Sequence, residues 1–275
     1  MSVRLVLTIM AIITIAEIAF YLALPKLLSL RGVEVLRRSL MGMTMVFETP
    51  DEDGTPVRLF NVDGTFQSAS YISDELWSEL VCAYHRTMVD VIDEMGDART
   101  VLVIGGGGYS LPKFLVTHTK RMRICVVEID PEITDIARER FFLDRAESLA
   151  EGRLELVCAD GWKWLREEGR AFDVIVNDAF KGSRPMGYLD TAEGAHLIAS
   201  HLTDRGVYLA NIRCPLEGRR ARVLEKTRAA FAAEFEDVRV IAEYGEAPRS
   251  LGNNVLVATN RALGDGGGRI TADRA

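Results

Sequence analysis

The feature that most limits the fold of this chain is an alternation of strand-like and helix-like segments that begins at Arg99. Four short apolar runs are the first strand candidates: residues 100–104, 123–129, 153–159 and 172–177. Helical segments are predicted between them: residues 111–118, 131–142 and 161–168. Apolar strands of this kind are typical of a parallel sheet that is covered on both faces. The alternation therefore predicts an open, doubly wound α/β sheet.

Three further strand candidates bring the predicted sheet to seven strands: residues 206–212, 238–244 and 254–259. The helices predicted beside them are residues 191–202 and 217–235. Only a loop joins the last two strands, so an antiparallel last strand is expected. Residues 261–275 are rich in glycine and charge and are predicted to be a disordered tail.

A separate β pattern precedes the alternation. Strand candidates at residues 41–47 and 57–61 are followed by turns at Asp53-Gly54 and Asp63-Gly64, which indicates a small antiparallel cap over residues 39–72. Residues 73–94 then carry apolar side chains at helical spacing. The chain is thus divided into a hydrophobic segment (1–30), the β cap (39–72) and an α/β domain (73–260).

The hydrophobic segment accounts for much of the slightly positive mean hydropathy, +0.07. Residues 5–24 are almost entirely apolar and long enough to span a bilayer as one helix, although Glu17 interrupts them. A cleaved signal peptide and a buried or interfacial helix are the alternatives. Four basic residues follow closely, Lys26, Arg31, Arg37 and Arg38, and only Arg4 precedes. This asymmetry predicts a membrane anchor with the domain in the cytoplasm.

Charge and cysteine usage exclude some classes of function. The formal net charge is −7, so a nucleic-acid backbone binder is not expected. The four cysteines are far apart and show neither a metal-ligand spacing nor a disulfide pattern. The four histidines form no metal-ligand cluster either, so no metal site is predicted.

Glycine or acidic residues follow each of the first four strand candidates. Gly105 to Gly108 follow the first, Glu128 ends the second, Asp160-Gly161 follow the third, and Asp178 follows the fourth. The carboxyl ends of parallel strands share one edge of a sheet, where ligands bind. Glycines let the backbone approach a ligand, and an acid about twenty positions later can accept the ribose hydroxyls. These residues predict a nucleoside site.

The glycine pattern separates two kinds of nucleoside enzyme. A dinucleotide site uses G-x-G-x-x-G, and here residue 110 is serine rather than the third glycine. The pattern therefore favours an S-adenosyl nucleoside over NAD.

These residues resemble the spermidine synthase family (polyamine aminopropyltransferases), which is built on the class I methyltransferase fold. The resemblance covers roughly residues 41–259. It is carried by the segments 63–68, 101–108, 127–131, 159–161 and 172–178.

The resemblance implies a role for each matched residue. Gln67 would contact the ribose or tail of the donor, and Gly105 and Gly107 would pass beneath it. Glu128 would hold the ribose, and Asp160, next to Gly161, the adenine amine. Asp178 matches the catalytic acid, which orients and deprotonates an acceptor amine.

Two positions depart from the family pattern. The family has an acid where this chain has Gly108, and a second acid where it has Lys181. The first acid pairs with the amine of decarboxylated S-adenosylmethionine, and the second faces a cationic polyamine. An ammonium about 4 Å from a bound diamine would cost about 4 kcal/mol at an effective dielectric constant of 20, unless Lys181 points to solvent.

The expected activity is therefore transfer of an alkyl group from S-adenosylmethionine or its decarboxylated form to a nucleophilic acceptor. The two departures slightly favour methyl transfer. Aminopropyl transfer to a polyamine and a non-catalytic nucleoside-binding protein are the alternatives. Residues 179–190 are predicted to form a lid, which Phe180, Met186 and Tyr188 could line. The resemblance also makes a homodimer an expectation.

Overall fold

A computed structural model describes residues 3–181, 184–185, 188 and 190–261. The chain begins with helix α1 (Val3–Ser29), which contains Pro25 and so continues past the end of the apolar stretch. Its segment Ile12–Ser29 has a mean hydropathy of 1.6, and none of that segment is buried in the protein. By length and composition alone, this helix could cross a membrane.

Four antiparallel strands form the cap, in the order β1-β2-β3-β4. They are β1 (Val33–Ser39), β2 (Gly42–Pro50), β3 (Pro56–Val62) and β4 (Thr65–Tyr71). The sequence did not predict β1, so the cap starts six residues before the predicted boundary at residue 39. The pairing of β1 with β2 shifts register between Val35 and Arg38, and this irregularity breaks the alternation that marks a strand.

The helix predicted over residues 73–94 is wrong in its first half, because α2 spans only Ala83–Met95. Side chains donate hydrogen bonds to backbone carbonyl groups that would accept backbone bonds in such a helix. Trp77 O accepts hydrogen bonds from Ser70 Oγ (3.3 Å) and Lys113 Nζ (3.4 Å), and Leu80 O accepts one from Arg86 Nη1 (2.7 Å). These bonds replace the helical ladder with turns.

The main sheet has seven strands in two groups. The first four, which run parallel to one another, are β5 (Thr100–Ile104), β6 (Arg123–Glu128), β7 (Leu154–Cys158) and β8 (Phe172–Asn177). Two further strands of two residues each, β9 (Phe180–Lys181) and β10 (Arg184–Pro185), follow β8 and pair antiparallel with each other. The remaining sheet strands are β11 (Leu202–Cys214), β12 (Asp237–Ile241) and β13 (Gly252–Thr259).

The strand order is β12-β13-β11-β8-β5-β6-β7. Strand β13 lies antiparallel between β11 and β12, which confirms the expected direction of the last strand. Helices cover both faces, as the doubly wound prediction requires. Alternate residues of β5 supply the two cores: Val101 and Val103 pack on one face, and Leu102 and Ile104 on the other.

The helices that cover the sheet begin with α3 (Ser110–His118), α4 (Pro131–Arg140) and α5 (Leu143–Leu149). They continue with α6 (Gly161–Glu167), α7 (Ala192–Ser200) and α8 (Arg222–Phe231). The sequence did not predict α5. The chain breaks between α4 and α5 because Phe142 is left-handed (φ 60°) and Phe141 O accepts a bond from Lys113 Nζ (2.6 Å). The tail predicted over 261–275 lies outside the described residues apart from Arg261.

Candidate active site

A cavity of about 510 Å³ lies where the carboxyl ends of the parallel strands face the β cap. This volume is within the usual range for small-molecule sites. All seven residues that the sequence predicted for the site line it: Gln67, Gly105, Gly107, Glu128, Asp160, Gly161 and Asp178. The structure therefore brings the predicted residues together, although their roles remain predictions.

The glycine run after β5 forms the floor of this cavity. Gly105 has φ 97°, and a Cβ there would lie 2.7 Å from the carbonyl oxygen of Asp178. Gly107 has φ 51°. Side chains are strained in this region of backbone space, so the close approach of β5 to the end of β8 requires glycine at residue 105.

Glu128 ends β6 and faces the glycine run. Its Oε2 accepts a hydrogen bond from Gly106 N (2.7 Å), and its Oε1 accepts one from Asp130 N (2.9 Å). Burial raises the pKa of this carboxyl group, while these backbone donors act in the opposite direction. Each carboxylate oxygen has two lone pairs, so Glu128 can still accept hydrogen bonds from a ligand.

Asp160 and Gly161 have structural tasks besides the predicted ones. Asp160 is the N-cap of α6, and its Oδ1 accepts a hydrogen bond from Lys163 N (3.0 Å). A Cβ at Gly161 would lie 2.5 Å from Ile104 Cγ2, so packing of α6 on β5 requires a glycine there. Gln67 lies on β4 at the opposite wall, and its Nε2 donates to Thr65 O (3.4 Å).

Asp178 is held by three side chains that the sequence reasoning did not identify. Its Oδ2 accepts a hydrogen bond from Tyr84 (3.0 Å) and lies 2.9 Å from His85 Nε2, and its Oδ1 accepts one from Asn211 (3.0 Å). Burial and the Asp178 charge raise the pKa of Tyr84 well above its usual range, so Tyr84 stays a donor. These contacts fix the carboxylate in one orientation over the cavity.

No local pattern marks these three partners as a unit. Tyr84 and His85 lie on α2 and Asn211 on β11, more than 30 positions from Asp178 in either direction. No role for His85 was predicted from the sequence. Among the described residues there is no group of three or more His, Cys, Asp or Glu that could hold a metal ion.

Gly108 is not among the residues that line the cavity, although Gly107 and Ser68 are. A Cβ at this position would lie 2.6 Å from Ser68 Oγ and 2.9 Å from Ser68 Cβ. Ser68 is 4% exposed, and its Oγ is 3.1 Å from Ser110 Oγ. The space that a side chain at residue 108 needs is therefore occupied by Ser68.

The predicted lid is described in part. Phe180 and Tyr188 line the cavity, and the Tyr188 ring stacks on Trp162 with centroids 5.8 Å apart. Met186 lies outside the described residues. The backbone of Lys181 pairs with Arg184, but the expected direction of its side chain lies outside what the structure describes.

Residues 81–241, more than half of the chain, match the family model described as the spermine/spermidine synthase domain. The chain belongs to this family. It is 29% identical over 174 residues to a polyamine aminopropyltransferase of a Ruegeria species, covering 62% of this chain and 61% of that protein. It is also 29% identical over 175 residues to an eEF1A lysine and N-terminal methyltransferase of Danio rerio, covering 57% of this chain and 24% of that protein.

Several solved structures share the fold of this chain. A probable spermidine synthase from Corynebacterium glutamicum aligns with a TM-score of 0.70 at 21% identity, over 83% of this chain and 80% of that one. Human methyltransferase-like protein 13 aligns with a TM-score of 0.54 at 24% identity, over 66% of this chain and 83% of that one. These likenesses confirm the class I methyltransferase type of fold. The chain spans about three fifths of the length of the Ruegeria aminopropyltransferase and about a quarter of the length of the Danio rerio methyltransferase.

Proposed function

We propose that this protein is a transferase that binds an S-adenosyl sulfonium donor in the cavity and transfers an alkyl group to a nucleophilic acceptor beside Asp178. One observation carries the proposal. The oriented carboxylate of Asp178 opens onto the same cavity as the glycine run and Glu128. A nucleoside held by Glu128 and the glycine run would thus have its sulfonium end near Asp178.

The chemistry asked of the protein is mainly positioning. The acceptor attacks a carbon attached to the sulfonium, so a new bond to that carbon forms as the C–S bond breaks and a thioether leaves. An amine acceptor gains positive charge in this step, and Asp178 stabilises that charge and takes the proton. Tyr84 and Asn211 keep the carboxylate directed at the acceptor, which limits the entropy lost on reaction.

The transferred group is the finer question, and we propose methyl transfer. Gly108 packs against Ser68, so an acid cannot stand at residue 108 to pair with the amine of a decarboxylated donor. Without that acid the site tolerates the carboxylate of intact S-adenosylmethionine. The curated relatives do not support this preference, since the Ruegeria enzyme and others are polyamine aminopropyltransferases. Aminopropyl transfer therefore stays as a second candidate.

Titration calorimetry of the full chain with both donors distinguishes the two. We expect S-adenosylmethionine to bind more tightly than its decarboxylated form. Tighter binding of the decarboxylated donor would make aminopropyl transfer the function. If neither donor binds at millimolar concentration, the protein is not a transferase of this kind.

Asp178→Asn tests the proposed catalytic role. The amide keeps the size of the carboxylate and its contact with Tyr84 but cannot take a proton. We expect turnover to fall by at least 100-fold while donor affinity changes less than about 3-fold, in line with the size of general-base effects. An equal loss of donor binding and turnover would contradict this assignment. Asp204→Asn, on an exposed residue, is the matched control.

We also propose that α1 anchors the protein in a membrane with the transferase domain in the cytoplasm. The apolar, unburied segment Ile12–Ser29 and the basic residues that follow it support this placement. Membrane fractionation of the full chain tests the proposal. Recovery of the intact protein only in the soluble fraction would refute it.

A further inference from the structure

Arg213 is a cationic side chain of the cavity that the proposed chemistry does not use. It lines the cavity near the end of β11 and is exposed. Asn211 precedes it by two residues on the same strand, so both side chains project from one face of the sheet. Asn211 donates to Asp178. Arg213 therefore lies on the acceptor side of Asp178, two residues beyond Asn211 on β11 and closer than Asn211 to the cavity mouth.

In the part of the chain that the structure describes, no acidic side chain neutralises the charge of Arg213. None of the ion pairs found in the described part of the chain includes Arg213, whereas Arg249 on the same edge pairs with Glu217 (3.7 Å). Asn253 is the cross-strand partner of Arg213 and also lines the cavity. Glu243 lies behind it, and its Oε2 accepts a hydrogen bond from Asn253 N (2.6 Å). Among the described residues Arg213 thus has no acidic partner, and its cross-strand neighbour in the cavity is a neutral amide.

The acids that line the cavity are already engaged elsewhere. Asp178 accepts three hydrogen bonds, Glu128 faces the glycine run, and Asp160 caps α6. Asp63, on the cap side, accepts a hydrogen bond from Met43 N (2.8 Å). The acceptor end of the cavity therefore contains one oriented carboxylate, Asp178, and one guanidinium, Arg213. An acceptor with two positive charges would require a second acid there.

We propose that Arg213 selects an acceptor that carries an anionic group, a carboxylate or a phosphate, a few bonds from its nucleophile. The inference rests on the proposed transferase function and names the class of acceptor. Asn211, which donates to Asp178, and Arg213 are two residues apart on β11, a span of about 7 Å, so we expect the nucleophile and the anion of the acceptor to be separated by a distance of this order. Guanidinium binds such anions through paired, charge-assisted hydrogen bonds.

Three probes of similar length separate anionic, cationic and neutral acceptors: 4-aminobutanoate, 1,4-diaminobutane and 1-aminobutane. Each is titrated into full-length protein that has been saturated with S-adenosylhomocysteine, and turnover with S-adenosylmethionine is measured in parallel. The variants are Arg213→Gln, Arg213→Lys and Arg213→Glu. Arg220→Gln is the matched control, because Arg220 is exposed and does not line the cavity.

We expect 4-aminobutanoate to bind more tightly than the other two probes. Arg213→Gln should weaken its binding by about 10- to 100-fold, as loss of a hydrogen bond to a charged group does. Arg213→Lys should restore part of the affinity, and Arg213→Glu should reverse the preference towards 1,4-diaminobutane. Arg220→Gln should leave all three affinities unchanged.

Two results would overturn the inference while leaving the transferase function intact. One is that the unaltered protein is saturated by S-adenosylhomocysteine but then binds 1,4-diaminobutane more tightly than 4-aminobutanoate. The other is a loss of S-adenosylmethionine affinity in Arg213→Gln with no loss for the decarboxylated donor, which would assign Arg213 to the donor carboxylate instead. Failure of every nucleoside to bind would overturn both the function and the acceptor class.

Discussion

The contact between Gly108 and Ser68 makes a quantitative prediction about Gly108→Ala. The new Cβ would lie 2.6 Å from Ser68 Oγ and 2.9 Å from Ser68 Cβ, so the buried Ser68 side chain must move. Overpacking of this kind costs about 1–3 kcal/mol. Alanine also restricts the unfolded chain, which returns about 0.4–1 kcal/mol. The expected net loss in the free energy of unfolding is about 0–2.6 kcal/mol.

Ser68→Gly provides the test, because it removes the obstructing atoms. In that background Gly108→Ala should cost little, so a double-mutant cycle should yield a coupling energy of about 1–2 kcal/mol. Urea unfolding followed by circular dichroism measures all four proteins. Gly169→Ala is the matched control, since a Cβ there meets nothing within 4 Å. Equal costs of Gly108→Ala in both backgrounds would refute the assigned role of Ser68.

The same pair of positions tests the origin of donor preference. Gly108→Asp alone is expected to disturb packing, whereas Gly108→Asp combined with Ser68→Gly gives the acid room. Calorimetry should then show the ratio of affinities moving towards the decarboxylated donor by about 10-fold, the effect of one added charge-assisted contact. A ratio that does not move would show that residue 108 does not select the donor.

Three further outcomes are expected. Glu128→Gln should weaken donor binding about 10- to 100-fold by calorimetry, without changing the circular dichroism spectrum, and unchanged affinity would contradict its ribose role. Burial lowers the pKa of Lys113 from 10.5 to about 7. Above pH 7 the unfolded chain therefore keeps a proton on Lys113 that the folded chain loses, so the free energy of unfolding should rise by about 2 kcal/mol between pH 7 and 9. Lys113→Met should abolish that rise in urea titrations, and a persisting rise would refute this cause. Removal of residues 1–29 should move the protein to the soluble fraction, and continued sedimentation with membranes would assign the anchor elsewhere.

The main sheet could be predicted from the sequence because each of its strands has a recognisable local pattern. An apolar run that is buried on both faces can be recognised as a strand without information from distant residues. Strand β8, for example, has the predicted bounds, Phe172–Asn177. The edge at which the site forms could also be predicted, since parallel strands end together. The glycine and acidic residues at those ends therefore predict Gly105, Glu128 and Asp178 as site residues.

The elements that sequence reasoning missed depend on long-range contacts. Lys113 donates hydrogen bonds to the carbonyl groups of Trp77 and Phe141, and this one buried side chain helps to delay the start of α2 and to end α4. No local pattern reveals such a bond, because its partners are 28 and 36 positions away. Strand β1 was missed for a similar reason, since its pairing with β2 is irregular.

The sequence by itself determined the order of strands and helices, the edge of the sheet where a nucleoside could bind, and the two departures from the family acids. Only the tertiary structure decided what surrounds these positions. It placed Tyr84, His85 and Asn211 on Asp178 and filled the space beside Gly108 with Ser68, and it put Arg213 at the cavity with no ion-pair partner among the described residues. The physical reason is that hydrogen-bond partners and close packing are set by distance in space, which spacing along the chain does not encode.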